Sequence, residues 1–309
     1  MSNIAFLQEL LNSVAERGRY LLPRSMFKGD DDSAGLQALV SALMSGRGEA
    51  SGVVLARQLL RHYAAVDDEL KAVFFRYVAE TLGPDTEAVK TAAKAYLKNA
   101  NGRRFAALQK AVESPRQEFF RRLNMAPGAT AEIVKMREDL LRFMPGEPEL
   151  EAIDNDIKHL LYSWFNRGFL VLRRIDWQTP AVILEKIIEY EAVHEISGWD
   201  ELRRRLDPAD RRCFAFFHPS LVDEPLIFVE VALTRDISGS IREVLEDETP
   251  DPDGEEEPTT AVFYSISNCQ QGLRGISFGN FLIKQVVEEL TREFPTLKTF
   301  VTLSPVPGF

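Results

Sequence analysis

The sequence has few of the residues that disulfide frameworks and metal centres require. Its only cysteines, Cys213 and Cys269, lie too far apart for a zinc-ligand spacing or a small disulfide scaffold. The four histidines, at positions 62, 159, 194 and 218, form no ligand cluster with cysteine or aspartate. The sequence therefore predicts no metal site, and two isolated cysteines suit a reducing compartment.

Long apolar runs are absent as well. No stretch reaches the roughly 18 consecutive apolar residues that a membrane-spanning helix needs. Near the N-terminus, Glu9 interrupts the apolar residues too early for a signal peptide, and the pattern there is that of an amphipathic helix. We therefore expect a cytoplasmic protein without a membrane partner, and no mitochondrial or peroxisomal targeting segment is evident.

No basic stripe is visible, although the formal net charge is -10. Nine of the fifteen residues from 243 to 257 are acidic, so one segment holds nearly all of the surplus charge. The absence of a basic stripe argues against nucleic acid as a partner. It does not exclude a polyanionic ligand, because residues 246–258 are predicted to form a solvated acidic loop that can lie far from a pocket.

The spacing of the apolar residues changes near residue 165. Before that point the apolar residues follow a helical period, most clearly from Ile153 to Phe165, where they form one stripe. Ser33 and Thr130 precede two such segments and are predicted to cap their helices. Residues 1–165 are therefore predicted to form an all-helical domain.

Residues 166–309 instead alternate between strand and helix patterns. Runs rich in β-branched and aromatic residues predict strands at 169–175, 212–218, 226–233, 261–267 and 297–304. Helical patterns lie at 180–192, 199–206 and 279–294. This alternation predicts a layered α/β domain.

A glycine-containing loop precedes the last of these helices. Gly272, Gly275 and Gly279 allow a ligand to approach the backbone, and free N–H groups at a helix start favour a pyrophosphate. Arg274 adds a positive charge. The spacing does not match the dinucleotide fingerprint G-x-G-x-x-G, and an ordinary tight turn remains the alternative.

The same loop contains a G-x-S-x-G sequence at residues 275–279, which is typical of the nucleophile of a hydrolase. That motif requires a strand running directly into the turn, yet the predicted strand ends near Ser267. A triad in the hydrolase order also needs a histidine after the serine, and all four histidines come earlier. A hydrolase is therefore disfavoured.

Several longer segments carry a more specific resemblance. They are WFNRGFLVLRRIDW (164–177), RRCFAFFH (211–218), HPSLVDEPL (218–226), VEVALT (229–234), FYSISNCQQGL (263–273), GNFLIKQVVEEL (279–290) and LSPVPGF (303–309). Together they resemble the malonyl-CoA decarboxylase family, in order over roughly the last half of the chain. The match through the helical part is weaker.

The resemblance implies a fold of two domains. A helical domain (1–165) used in homo-oligomerisation, to a tetramer, precedes a catalytic domain (166–309) similar to the acyl-CoA N-acetyltransferase (GNAT) fold. It also implies conversion of malonyl-CoA to acetyl-CoA and CO2, within fatty acid metabolism, without a metal or redox cofactor.

The resemblance also assigns site residues. The loop that binds the CoA pyrophosphate corresponds to Arg274, Gly275, Ile276, Ser277, Phe278, Gly279 and Asn280. The catalytic serine of the SP-x-PGF motif corresponds to Ser304. The usual transferase loop, Q/R-x-x-G-x-G/A, is not cleanly reproduced here.

The family's second catalytic residue, a histidine, lies beyond the PGF motif. The sequence ends at Phe309, so the resemblance implies that the catalytic domain is incomplete at its C-terminus. Two other functions stay open. One is an acyltransferase of the same fold, and the other is an inactive protein that only binds CoA or assembles.

Overall fold

The chain divides into two units that differ in secondary structure. The computed structural model describes residues 32–45, 49–246, 257–276 and 281–303. The first unit runs from Met1 to Trp164 and the second from Phe165 to Phe309. The described part of the first is helical, and the second is a mixed sheet with helices, which confirms the predicted order of a helical region followed by an α/β region.

Eight α-helices are described in the first unit. They are α1 (Asp32–Met44), α2 (Glu49–Ala65), α3 (Asp68–Thr81), α4 (Thr86–Lys98), α5 (Gly102–Val112), α6 (Pro115–Leu123), α7 (Ala129–Phe143) and α8 (Glu151–Trp164). Aromatic side chains fill much of the core, and Phe74 contacts both Phe75 and Phe119 edge-on or tilted. The predicted stripe on α8 is buried from Ile153 to Leu161.

Two buried ion pairs hold α8 against its neighbours. Arg137 Nε on α7 lies 2.7 Å from Asp154 Oδ1, and Arg116 Nε on α6 lies 2.7 Å from Asp156 Oδ2. Ser114 Oγ, at 2.8 Å, also donates to Asp156. Because breaking a buried pair leaves an uncompensated charge, these contacts fix which face of α8 points inward.

The two predicted N-caps are wrong. α1 already includes Asp32, so Ser33 lies within the helix rather than before it. α7 begins at Ala129 with Gly128 as its cap, and the hydroxyl of Thr130 bonds Asn124 Oδ1 at 2.8 Å. In both cases the helix begins earlier than the side-chain signal predicts.

The described part of the second unit is built on one five-stranded sheet. Its strands, in both chain and spatial order, are β1 (Val171–Ile175), β2 (Arg211–His218), β3 (Leu221–Thr234), β4 (Thr260–Asn268) and β5 (Thr299–Thr302). β1 to β4 pair antiparallel, whereas β4 and β5 are parallel. The helices are α9 (Ala181–Tyr190), α10 (Trp199–Leu206), α11 (Ile241–Glu246) and α12 (Phe281–Glu293).

Helices cover both faces of the sheet. Cys213, Ala215 and Phe217 on alternate positions of β2 pack in one core cluster with residues of α9 and α10. On the opposite face, Arg212 Nη2 lies 2.6 Å from Glu293 Oε1 of α12. All eight residues of β2 are buried, as expected for a central strand covered on both sides.

The ends of the predicted strands and helices of this unit lie within two residues of the structure, except at the start of β3. β3 begins at Leu221, five residues before the predicted start, because a turn after His218 pairs that residue with Leu221. α11 was not predicted. The predicted acidic loop falls mostly on residues 247–256, which lie outside the described residues.

Candidate functional site

A cavity of about 350 Å³ lies at the carboxyl end of β4. Its lining residues are Ala192, Leu226, Ile266, Ser267, Asn268, Gln270, Gln271, Leu273, Arg274, Gly275 and Ile276. They come from the loop after α9, from β3, from β4 and from the loop after β4. The volume falls within the range typical of small-ligand sites.

The loop after β4 forms a tight turn at the cavity. Residues Gln271–Leu273 form a 3₁₀ turn rather than an open loop. The amide of Arg274 donates to Gln271 O at 3.0 Å, and that of Ile276 donates to Leu273 O at 2.9 Å. Gly275 has φ 78°, the left-handed conformation that favours glycine. The amide of Leu273 also donates to Gln270 O at 2.9 Å, so three amides of this loop are bonded within the turn itself.

Three of the predicted CoA-binding residues are therefore placed at one cavity. Arg274 and Gly275 are exposed beside it, and Ile276 is buried at its wall. Ser277, Phe278, Gly279 and Asn280 lie outside the described residues, as does Ser304.

The structure describes the residue before Ser304. The amide of Leu303 donates to Phe263 O in β4 at 2.9 Å and so extends the parallel pairing of β5 with β4. Leu303 also packs against the apolar cluster to which Val262 and Tyr264 of β4 belong. The chain thus enters Ser304 from a position beside the middle of β4, whose carboxyl end forms the cavity.

A buried carboxylate lies next to the cavity. Glu191 follows α9 and is 8% exposed. Its Oε1 accepts the backbone N–H groups of Val193 and His194, each at 2.8 Å. Ser265 Oγ donates to Oε2 at 2.7 Å, and Ser267 Oγ donates to the same oxygen at 3.2 Å. Among the described residues, no lysine or arginine forms an ion pair with this carboxylate.

A second polar group joins α9 to the rim of the cavity. Glu224 accepts Lys186 Nζ at 2.6 Å, Tyr190 Oη at 3.3 Å and Gln270 Nε2 at 3.4 Å. Burial and the charge of Glu224 raise the pKa of Tyr190 to about 12, so this phenol stays protonated at neutral pH. The network fixes the side chain of Gln270, which lines the cavity.

Another buried acid of this unit, Glu230 of β3, does not line the cavity. It is fully buried, and its Oε2 lies 3.1 Å from Arg205 Nη1 of α10. Burial raises the pKa of Glu230 to about 7, although the charge of Arg205 opposes the shift. This acid belongs to the sheet interior.

His218, at the end of β2, is held by a hydrogen bond and by aromatic packing. His218 Nδ1 accepts the amide of Ser220 at 3.1 Å, and its ring packs on Phe165 and Phe169. These contacts give His218 a structural role at the end of β2. Across the described ranges, no three His, Cys, Asp or Glu side chains are grouped as metal ligands.

None of the described helices is long and apolar enough to cross a bilayer.

The sequence analysis did not identify the residues at or beside the cavity that lie outside the loop after β4. Ala192, Leu226 and Glu191 come from segments far from residue 274, and nothing in their local pattern marks a site. The one available signal was the pair of serines at alternate positions 265 and 267 of a strand. They place two hydroxyls on one face of an otherwise apolar run.

Comparison with known proteins gives one consistent result. The family model described as malonyl-CoA decarboxylase C-terminal domain matches residues 168–309, and the N-terminal domain model of the same family matches residues 82–165. The mitochondrial malonyl-CoA decarboxylase of Anser anser anser is 42% identical over 196 residues, which is 62% of this chain and 39% of the relative. That of Rattus norvegicus is 43% identical over 198 residues, 62% of this chain and 40% of the relative.

The solved structures to which the chain is similar belong to the same family. A malonyl-CoA decarboxylase from Rhodopseudomonas palustris is 58% identical with a TM-score of 0.82, over 90% of this chain and 67% of that one. One from Agrobacterium vitis is 56% identical with a TM-score of 0.83, over 89% of this chain and 66% of that one. The chain thus spans about two fifths of the length of the curated relatives and about two thirds of the solved chains.

Proposed function

This chain belongs to the malonyl-CoA decarboxylase family, and on that premise we propose that the protein containing it converts malonyl-CoA to acetyl-CoA and CO2. The observation that supports this most directly is the cavity at the end of β4, where Arg274, Gly275 and Ile276 meet. The activity is proposed for the protein as a whole, because the relatives that carry the name are longer than this chain.

We also propose that the second unit has a GNAT-like fold. Four antiparallel strands followed by a helix and a parallel fifth strand are the arrangement that this fold requires, and β1 to β5 with α12 have it. The loop between β4 and α12 would then receive the CoA pyrophosphate. The guanidinium of Arg274 is exposed at that loop and can form charge-assisted bonds with phosphate oxygens.

The reaction sets three requirements. The bond between the malonyl carboxylate carbon and the α-carbon breaks, CO2 leaves, and the electron pair moves into the thioester as an enolate. A proton added to the α-carbon then gives acetyl-CoA. The protein must hold the thioester, stabilise the enolate oxygen and deliver that proton.

We assign the proton transfer to Ser304, by resemblance to the family's SP-x-PGF motif. A serine hydroxyl alone is a weak acid, so it needs the family's downstream histidine as its partner. The bond from Leu303 to Phe263 supports this assignment, because it brings the chain alongside β4 one residue before Ser304.

The test is acetyl-CoA production from malonyl-CoA without any acceptor, by the protein that contains this chain. Ser304→Ala should lower kcat by about a hundred- to ten-thousand-fold, while the calorimetric affinity for CoA is retained. Thr302→Ala, which removes a hydroxyl two residues earlier, is the matched control and should keep normal turnover. Near-normal turnover by Ser304→Ala would refute the assignment, and turnover only with an amine acceptor would indicate an acyltransferase.

We further propose that the helical unit mediates homo-oligomerisation, to a tetramer by family resemblance. The hairpin of α4 and α5 supports this, because neither helix has a buried residue.

A further inference from the structure

Glu191 joins two separate walls of the cavity. One wall is the loop after α9, represented by Ala192, and the other is β4, represented by Ser267. The carboxylate bonds the backbone at Val193 and His194 on the first wall and the Ser265 and Ser267 hydroxyls on the second. The amide of Ala192 adds a direct bond to Ser267 Oγ at 3.3 Å.

Packing alone does not account for an acid at this position. Burying a carboxylate is costly unless its oxygens are bonded, and an apolar side chain would fill the same volume without that cost. Both oxygens of Glu191 are bonded, and the groups that bond them belong to the two cavity walls. Ser265 and Ser267 are each 1% exposed, so neither hydroxyl can turn to bulk water instead.

We infer that Glu191 is a positioning residue for substrate in this cavity, acting through Ser267 and Ala192. It holds the loop after α9 at a fixed separation from the end of β4, so that the part of the acyl-CoA bound in this cavity lies between two rigid walls. This inference rests on the proposed function and adds to it a residue that the loop and serine assignments do not include. Displacing a bound reactant by about 1 Å can lower the rate about a hundredfold, so fixed walls have a kinetic effect.

The variants Glu191→Gln, Ser267→Ala and the double variant test the inference in the protein that contains this chain. A glutamine side chain keeps the shape of Glu191 and one acceptor oxygen, so the fold should be retained even where Glu191→Ala fails to fold. We expect each single variant to lower kcat/KM for malonyl-CoA on the order of 10- to 100-fold. The double variant should lose no more than the worse single one, because both changes break the same link.

Glu230→Gln is the matched control. It also alters a buried carboxylate of the same sheet, but Glu230 bonds Arg205 and does not line the cavity. It should change the unfolding temperature while leaving kcat/KM within about twofold, since a purely structural loss leaves the folded fraction active well below the melting temperature.

These experiments distinguish a failure of the positioning role of Glu191 from a failure of the proposed decarboxylase function. If the unsubstituted protein turns over malonyl-CoA and Glu191→Gln behaves like Glu230→Gln, the positioning role is wrong and the proposed function stands. Additive losses in the double variant would also overturn the inference. If the unsubstituted protein shows no turnover, the proposed function is wrong. In that case the calorimetric affinity for CoA tests the positioning role of Glu191. An unchanged affinity in Glu191→Gln would refute that role.

Discussion

Gly275 is the residue whose backbone most constrains the predicted CoA loop. Its φ of 78° is strained for a side chain with a Cβ, and it lies on the cavity wall. We expect Gly275→Val to weaken CoA binding at least tenfold by calorimetry, because the branched side chain both shifts the turn and occupies the approach to the backbone. A tenfold loss corresponds to about 1.4 kcal/mol.

Gly146 offers a control for strain alone. It has φ 90°, and no atom lies within 4 Å of the position that a Cβ would occupy. Gly146→Val should cost about 1–2 kcal/mol of stability, as expected for a left-handed residue with a side chain, without changing CoA affinity. Equal CoA affinity in both variants would mean that the loop does not contact the ligand.

Glu230 makes the stability of the second unit depend on pH. Burial raises its pKa to about 7, above the ordinary value of 4.5, so the folded state holds this proton more tightly than the unfolded state. Its stabilising contribution is complete below pH 4.5 and is lost as the pH rises to about 7. The unfolding free energy of the unsubstituted protein minus that of Glu230→Gln should therefore fall from pH 5 to pH 8. Urea unfolding at both pH values measures it, and a difference that grows with pH would contradict the assignment.

At the scale of the element, α12 is tied to the sheet by one carboxylate. Glu293 bonds Arg212 of β2 at 2.6 Å and Arg174 of β1 at 3.2 Å. Partial burial opposes its ionisation, but the two arginines lower the pKa of Glu293 below its ordinary value. Arg212 is buried and also lies over the ring of Phe294 at 4.9 Å.

We expect Glu293→Gln to lower the unfolding free energy by about 1–3 kcal/mol, because it leaves a buried guanidinium without its counter-charge. Glu289→Gln, one turn earlier on the same helix, breaks only an exposed pair with Arg292 and should cost less than about 0.5 kcal/mol. Urea unfolding measures the loss of unfolding free energy in both variants. Equal losses would show that the ion pair between Glu293 and Arg212 adds nothing to stability.

The elements also show what the sequence could predict. α10 coincides with the predicted helix at 199–206, and β2 and β4 each lie within one residue of their predicted bounds at either end, because their apolar runs are long and bounded by polar turns. The start of β3 was missed because Asp223, Glu224 and Pro225 do not have a strand pattern. The turn from β2 sets this start instead, because it pairs His218 with Leu221 and Phe217 with Pro225.

The sequence could predict only those residues of the candidate site that lie close together in the chain. The turn at Arg274 to Ile276 was recognised from glycine and from the family motifs. Glu191 was not, because an acid just after a helix is typical of solvent-exposed positions and only the sheet packed against it shows its burial. Tertiary contacts, not local pattern, give that residue its role.

At the scale of the whole molecule, the described helical unit has an apolar surface to cover. α4 and α5 contact each other through Tyr96 and Phe105, with ring centroids 5.7 Å apart. Leu97 is 81% exposed and Val112 is 49% exposed. Helices of this length are marginal in water without packing, so burial against a second copy would stabilise the hairpin.

We therefore expect light scattering at micromolar concentration to give a multiple of 34.9 kDa for the full chain. Leu97→Glu combined with Val112→Glu should lower that mass towards the monomer, because burying two new charges opposes association. Lys135→Glu, at an exposed position on α7, is the control and should leave the mass unchanged. A monomeric mass for the unsubstituted chain would contradict the prediction.

The parallel pairing of β5 also leads to an expected order of folding in the second unit. His218 pairs with Leu221 across a short turn, whereas Thr260 must wait for α12 before it can pair with Thr299. Contacts between distant residues form slowly, so we expect β5 to dock last and to open first. Amide hydrogen exchange should then be faster at Leu303 than at Val229 in the middle of β3, and equal protection would contradict this order. Because Ser304 follows Leu303 directly, the newly folding unit would form the cavity before it positions the hydroxyl to which we assign proton transfer.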